Sequence, residues 1–211
     1  MPDFELENNH SGLVAGIDEA GRGPWAGPVV AGAVIIKDRN LDEFLLDGLN
    51  DSKKLTAKKR EQLFEHLLEA RSKGQVCIGI GQASAAEIDE YNILQATFLA
   101  MRRAYEAMGA KADWALIDGN RLPQNFPCAC EYVIKGDARD YAIAAASIMA
   151  KVYRDRLMAD LSKIYPHYGF EKNAGYGTKL HIKGLHEYGV TPEHRRSYRP
   201  IREFMSLKKS A

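Results

Sequence analysis

The chain has 211 residues, enough for one sizeable domain, and its 45% apolar and 27% charged content excludes a disordered, collagenous or disulfide-stapled protein. The net charge of +1 hides a division: residues 163–211 hold ten Lys/Arg against four Asp/Glu, and the remainder holds 19 against 24. An acidic body with a basic tail suits a metal-dependent enzyme that docks a polyanion, the other reading being a merely solvated tail.

In chain order, Leu13-Val14-Ala15-Gly16-Ile17 reads as a short buried strand that delivers Asp18 and Glu19 into a Gly21-Arg22-Gly23 loop. The β-branched run 29–36 predicts a second strand, hairpinned after the first. A helix is expected from an N-cap at Thr56 to about Lys73, with Leu55, Leu63, Phe64, Leu67 and Leu68 on one face and Gly74 as its stop. Residues 75–81 predict a third strand. Helical patterns follow over 84–89 and 93–108, ending at Gly109. Residues 114–119 read as a buried strand ending in Asp118, and 131–135 as a fifth strand. A long helix is expected from Asp137 to about Ile164, rich in small residues that let it lie close to a sheet. Beyond Pro166 only short helical stretches are expected. This order predicts an α/β domain over 13–165, a mixed sheet with flanking helices, completed by a basic helical segment over 166–211.

Asp18 and Glu19 are adjacent anions that repel one another, so a fold keeps them where a cation compensates or where the turn is solvated. The glycines let backbone amides approach a ligand, and Arg22 offers a donor fork suited to phosphate. Asp118 also follows an apolar strand, and ligands of open α/β sheets gather beyond strand ends; Asp118-Gly119 is equally a turn signal. Asp137 reads as a helix N-cap or as a fourth acid. If these acids meet, all-oxygen donors select Mg²⁺ or Mn²⁺ over Zn²⁺. Two such ions roughly 3.5–4 Å apart can activate water and stabilise the leaving oxygen of a phosphodiester. The histidines make no H-E-x-x-H spacing, no phosphate-binding G-x-x-x-x-G-K-[ST] is present, and Ser147 reads as helix packing. Cys77, Cys128 and Cys130 complete no zinc site, so reduced thiols are expected. No secretory signal and no run of about eighteen apolar residues is visible, so a cytoplasmic protein without membrane contact is expected.

Several stretches in fixed order carry a resemblance. They are Gly16-Ile17-Asp18-Glu19-Ala20-Gly21-Arg22-Gly23-Pro24, Asp51-Ser52-Lys53-Lys54-Leu55, Ile117-Asp118-Gly119 and Lys135-Gly136-Asp137. Ala144-Ala145-Ala146-Ser147-Ile148, Ala150-Lys151-Val152-Tyr153-Arg154-Asp155, Gly175-Tyr176-Gly177-Thr178 and His194-Arg195-Arg196-Ser197-Tyr198-Arg199-Pro200 complete them. Residues 14–200 thereby resemble ribonuclease HII, the type 2 ribonuclease H of bacteria. The resemblance implies an RNase H-like sheet of five strands flanked by helices, with a C-terminal helical segment. It implies an endonuclease that hydrolyses the RNA strand of RNA–DNA hybrids and cuts 5′ to single ribonucleotides in duplex DNA, leaving 5′-phosphate and 3′-hydroxyl ends. It also implies that Asp18, Glu19, Asp118 and Asp137 bind Mn²⁺ or Mg²⁺, and that Gly21, Arg22 and Gly23 read the 2′-hydroxyl. Tyr176 would stack on the sugar of the following deoxynucleotide. Lys53, Lys54 and the late basic residues are expected at phosphates, giving salt-sensitive binding. A monomer is expected. Ribonuclease HIII, a relative with a similar core, usually carries an additional N-terminal domain. A non-catalytic hybrid-binding module is disfavoured, because clustered carboxylates repel a polyanion unless metals fill them.

Overall fold

The computed structural model describes residues 1–50, 52 and 55–209, so Lys53 and Lys54 lie outside the described residues. A one-turn helix α1 (Glu5–Asn8) leads into strands β1 (Val14–Ala20) and β2 (Val29–Ile36). These two strands pair antiparallel from Ala15↔Ile35 to Ala20↔Val30. Helices α2 (Glu43–Gly48) and α3 (Ala57–Ser72) follow, each started by a side-chain cap. Asp42 accepts from the Phe44 amide at 2.7 Å and Thr56 from the Lys59 amide at 3.2 Å. Strand β3 (Val76–Ala83) pairs antiparallel with β2 and leads into helix α4 (Ala85–Ala107).

Helix α4 begins with a capping box between Ser84 and Glu87 and breaks at Asn92, whose φ is 68°. The Asn92 carboxamide then accepts from the amides of Leu94 and Gln95, so the break restarts the helix with a cap of its own. This is the interruption expected between the two helical patterns. Strands β4 (Trp114–Asp118) and β5 (Ala129–Val133) extend the sheet in parallel, giving the order β3-β2-β1-β4-β5. A 3₁₀ turn (Gly136–Ala138) precedes the long helix α5 (Tyr141–Ile164). Helices α6 (Phe170–Asn173), α7 (Lys179–Tyr188) and α8 (Arg199–Lys209) complete the described chain.

The sheet buries both faces. Ala15 and Ile17 of β1 join Ala96, Ala100 and Met101 of α4 in one core cluster. The alternate residues face α5, where Gly16 and Gly32 lack the methyl that would strike the backbone of Ala142, Ile143 or Ala146. Gly16 and Gly32, facing the small-residue stretch 142–146, thus permit helix and sheet backbones to touch. A third cluster joins Met158 of α5 to Tyr168, Phe170, Leu185 and Ile201, seating the C-terminal helices on the far half of α5. Each fully buried aliphatic side chain contributes about 1.5–3 kcal/mol over leaving it exposed.

The five-stranded sheet matches expectation, but helices α1 and α2 were not expected and several element boundaries differ. Strand β1 runs on through Ala20, because its ladder with β2 persists where the apolar signal stops. The fifth strand lies at Ala129–Val133, two residues earlier than expected. Helix α5 starts at Tyr141, after a separate turn holding Asp137.

Candidate active site

The site begins where the sheet forks. Strand β1 keeps its antiparallel ladder with β2 to Ala20, while its parallel ladder with β4 ends at Ile17↔Ile117. Beyond that point one edge of β1 is open, and Asp18 and Glu19 occupy the opening. Strand periodicity sends them to opposite faces: Asp18 toward α5, Glu19 toward α4. Asp18 is 4% exposed. Burial, then the neighbouring charges of Glu19 and Asp118, push its carboxyl well above the usual carboxylate range. Hydrogen bonds from the Ser147 hydroxyl and the Glu19 amide, the latter at 2.7 Å, act in the opposite direction.

Asp118 ends β4, and its Oδ1 accepts from the Gly136 amide at 2.7 Å. That bond draws the 3₁₀ turn against the strand end, one residue from the buried Asp137. The N-cap of α5 is Asp140, which accepts from the Ile143 amide at 3.0 Å. The capping reading of Asp137 is therefore corrected. Asp18, Glu19 and Asp118 form an electrostatic cluster, and the Gly136 amide on Asp118 brings the neighbouring Asp137 to the same strand end. Among the described residues no three His, Cys, Asp or Glu side chains are grouped tightly enough to hold a metal ion. The donor set still has the right chemistry: every acid offers hard oxygen, and the repulsion that raises Asp18 is relieved by a divalent cation.

Two buried arginines shape the loop that follows β1. Arg195 donates from Nη2 to the carbonyl of Gly21, from Nη1 to that of Arg22 at 2.8 Å, and from Nε to that of Gly27 at 3.0 Å. Arg154 donates to the carbonyls of Pro28 at 2.9 Å, Ala26 at 3.2 Å and Ala174 at 2.9 Å. In a trans peptide the N–H points opposite to the C=O. With the carbonyls of Gly21 and Arg22 turned onto Arg195, the amides of Arg22 and Gly23 face away from it. A methyl on Gly23 would stand 3.3 Å from Cε1 of Tyr176, so the loop and the tyrosine are neighbours.

Two cavities flank the acids. One of about 270 Å³ is lined by Glu19, Gly21, Arg22, Gly23, Ser147 and Tyr176. The other, about 330 Å³, is lined by Glu19, Arg22, Phe98, Asp118 and Asn120. Glu19 and Arg22 border both, with Arg22 Nη1 3.4 Å from Glu19 Oε1.

Sequence reasoning missed Ser147, Arg154 and Arg195. Ser147 is a polar contact, not simple packing: it bonds Asp18, and its Oγ lies 2.8 Å from Ser52 Oγ. Arg195 is fully buried, so it is removed from the basic residues expected at phosphates. The available signal was that all three lie in the stretches that carry the family resemblance.

The fold and the forked acids define a nuclease of the RNase H-like class. The crystal structure of ribonuclease H2 from Pyrococcus horikoshii OT3 superposes with a TM-score of 0.76 at 28% identity, covering 94% of this chain and 100% of that one. A Bst ribonuclease HIII solved with Mn²⁺ shares the fold at a TM-score of 0.69 and 14% identity, over 94% of this chain and 71% of that one. The family model for ribonuclease HII matches residues 15–201. A ribonuclease HII of Paramagnetospirillum magneticum is 53% identical over 205 residues, 97% of this chain and 99% of that protein. The chain belongs to the ribonuclease HII family, and it is an endonuclease that cleaves RNA in RNA–DNA hybrids. Among the described residues no helix is long and apolar enough to cross a membrane.

Proposed function

We propose that this enzyme cuts 5′ to single ribonucleotides embedded in duplex DNA as well as within RNA–DNA hybrids. Asp18, Glu19, Asp118 and Asp137 would hold the divalent ions, Mn²⁺ or Mg²⁺, with Asp18 oriented by Ser147 and Asp118 by the Gly136 amide. Bound there, two such ions would supply a nucleophilic water and neutralise charge on the leaving oxygen. The amides of Arg22 and Gly23 meet the 2′-hydroxyl, which both donates and accepts hydrogen bonds. Tyr176 packs on the sugar of the next deoxynucleotide and disfavours a 2′-hydroxyl there. Lys53 is assigned to a phosphate from its motif alone. Residues 13–165 act as the catalytic domain, and 166–211 complete the cleft by contributing Tyr176 and Arg195.

The observation that carries this reading is the turning of the Gly21 and Arg22 carbonyls onto Arg195, which leaves free-facing amides beside Tyr176. Such a site recognises an RNA-to-DNA junction by shape, independent of base sequence. The test is to incubate the protein with Mn²⁺ or Mg²⁺ and a DNA duplex carrying one ribonucleotide, then map the ends. Cleavage 5′ to the ribonucleotide, with a 3′-hydroxyl upstream, is expected. Cutting only within longer RNA tracts would overturn the junction reading.

A further inference from the structure

Behind Tyr176 lies a buried pair of histidines that the proposed chemistry does not use. His181, on α7, and His194 are 0% and 1% exposed. Their Nε2 atoms are 2.9 Å apart. The outer nitrogens are also engaged: His194 Nδ1 lies 3.0 Å from the Thr191 amide and 2.9 Å from its hydroxyl, and His181 Nδ1 lies 3.0 Å from the Tyr176 carbonyl.

These contacts fix every proton. The Thr191 amide can only donate, so His194 Nδ1 carries a lone pair and its hydrogen sits on Nε2. His194 Nε2–H then donates to His181 Nε2, which leaves the second hydrogen on His181 Nδ1. From there it donates to the Tyr176 carbonyl. The result is a one-way chain from Thr191 through two neutral rings to the backbone of Tyr176. A proton added to His194 would set Nδ1–H against the Thr191 amide, and one added to His181 would set two Nε2–H groups against each other.

The residue beside His194 holds the other loop. Arg195 grips the carbonyls of Gly21, Arg22 and Gly27, and its amide donates to the Trp25 carbonyl at 2.8 Å. The Trp25 amide in turn donates to the Gly175 carbonyl at 2.8 Å. One dipeptide therefore reaches both surfaces that face the junction. The rings pack among Trp25, Tyr168 and Phe170, an apolar setting that favours neutral imidazoles. Tyr168 is the titratable group among those ring contacts. Burial, with His181 as a further cause, drives His194 down to about 3, and burial lowers His181 too.

We propose that His181 and the dipeptide His194-Arg195 are positioning residues that register Tyr176 against the Gly21-Arg22-Gly23 loop, and so set selectivity for the RNA-to-DNA junction. This rests on the reading of Tyr176 given above. The histidine relay fixes the tyrosine's main chain, and Arg195 fixes the loop, from adjacent positions on one short segment. A shift of either partner changes the gap into which the ribose and the following deoxyribose must fit together.

The test compares kcat/KM on a DNA duplex with one ribonucleotide against that on a continuous RNA–DNA hybrid. His181→Phe keeps an aromatic ring among its neighbours and deletes both hydrogen bonds. It is expected to lower the single-ribonucleotide to hybrid ratio about tenfold, the worth of one buried hydrogen bond, mainly through kcat at the junction. Tyr176→Ala is run beside it. If Tyr176→Ala lowers the ratio and His181→Phe does not, the relay is overturned while the junction reading stands. If Tyr176→Ala leaves the ratio unchanged, the junction reading falls and this proposal with it. A second measurement is independent of activity: ¹⁵N NMR of the wild-type protein should report His181 as the Nδ1–H tautomer and His194 as the Nε2–H tautomer, both neutral at pH 6. An imidazolium at either position at that pH overturns the relay.

Discussion

The loop geometry makes opposite demands on two glycines only two positions apart. Gly21 has φ +94°, a region that L side chains adopt at a cost of roughly 1–2 kcal/mol. A methyl there would overlap Nε and Cδ of Arg154 and come within 2.8 Å of Cζ. Arg154 cannot retreat cheaply, because it is buried and bonded to the carbonyls of Ala26, Pro28 and Ala174. Losing one such charged hydrogen bond costs about 1.5–3 kcal/mol. Gly21→Ala is therefore expected to destabilise the protein by about 3–5 kcal/mol, a large part of the roughly 5–15 kcal/mol that holds a domain folded. At Gly23 no left-handed backbone is involved, and the new methyl meets only the exposed ring of Tyr176, 3.3 Å from Cε1 and 3.6 Å from the hydroxyl. Gly23→Ala should change stability by less than about 1 kcal/mol while lowering cleavage at a single ribonucleotide. Urea denaturation followed by circular dichroism reads the first effect, and steady-state kinetics on both substrates reads the second. If Gly21→Ala unfolds within about 1 kcal/mol of wild type, Arg154 is not the rigid support described.

Three further outcomes follow from the site and its surroundings. Asp118→Asn keeps an oxygen for the Gly136 amide but removes the charge, so cleavage should be abolished while hybrid binding in a gel-shift assay stays within about threefold; retained turnover would sink the assignment. Binding of Mn²⁺ to the acid cluster should raise the melting temperature, and the rise should shrink in Asp18→Asn; equal rises in both would place the ion elsewhere. Glu7 is buried beside Asp140, with burial and that charge raising its carboxyl to about 8 from 4.5. The native state thus keeps a proton that the unfolded chain releases, and stability falls as pH rises from about 4.5 through 8, by on the order of a few kcal/mol. Glu7→Gln should flatten that decline between pH 5 and 9 in urea denaturation; an unaltered decline would remove Glu7 as its source.

Much of the fold was legible because its signals are local. The run Val29–Ile36 is apolar at every position, as a strand buried on both faces requires. Asn92 interrupts α4 between the two helical patterns, and Thr56 caps α3 as read. The end of β1 was not legible, because Asp18 and Glu19 carry no apolar periodicity although their backbone still pairs with β2. Asp137 and Asp140 are both acids near a helix start, and only the tertiary bond from Gly136 to Asp118 separates their roles. Helix α1 escaped notice because four residues give no period; it is held by the Asp3–Asp140 bridge and by Phe4 on Tyr141. Arg195 counted among the basic residues expected at phosphates and Arg154 had no role of its own, since a sequence does not reveal that a cation's donors are spent on carbonyls far along the chain.

Those arginines complete the electrostatic logic of the cleft. Arg154 is pushed down to about 10 by burial and then by the charge of Arg195, so the pair is held together against its own repulsion. Lysine would not serve, because a compact ammonium cannot reach several carbonyls with fixed geometry as a guanidinium fork does. Asp18 is pushed the opposite way by burial and by its acidic neighbours. The cavity of about 270 Å³ lies between the two, with Arg154 and Glu19 both in its lining. The divalent ions proposed for the acids would relieve the carboxylate side, while the donors of Arg154 and Arg195 stay on the loop carbonyls, so these cations support the loop rather than meet phosphate.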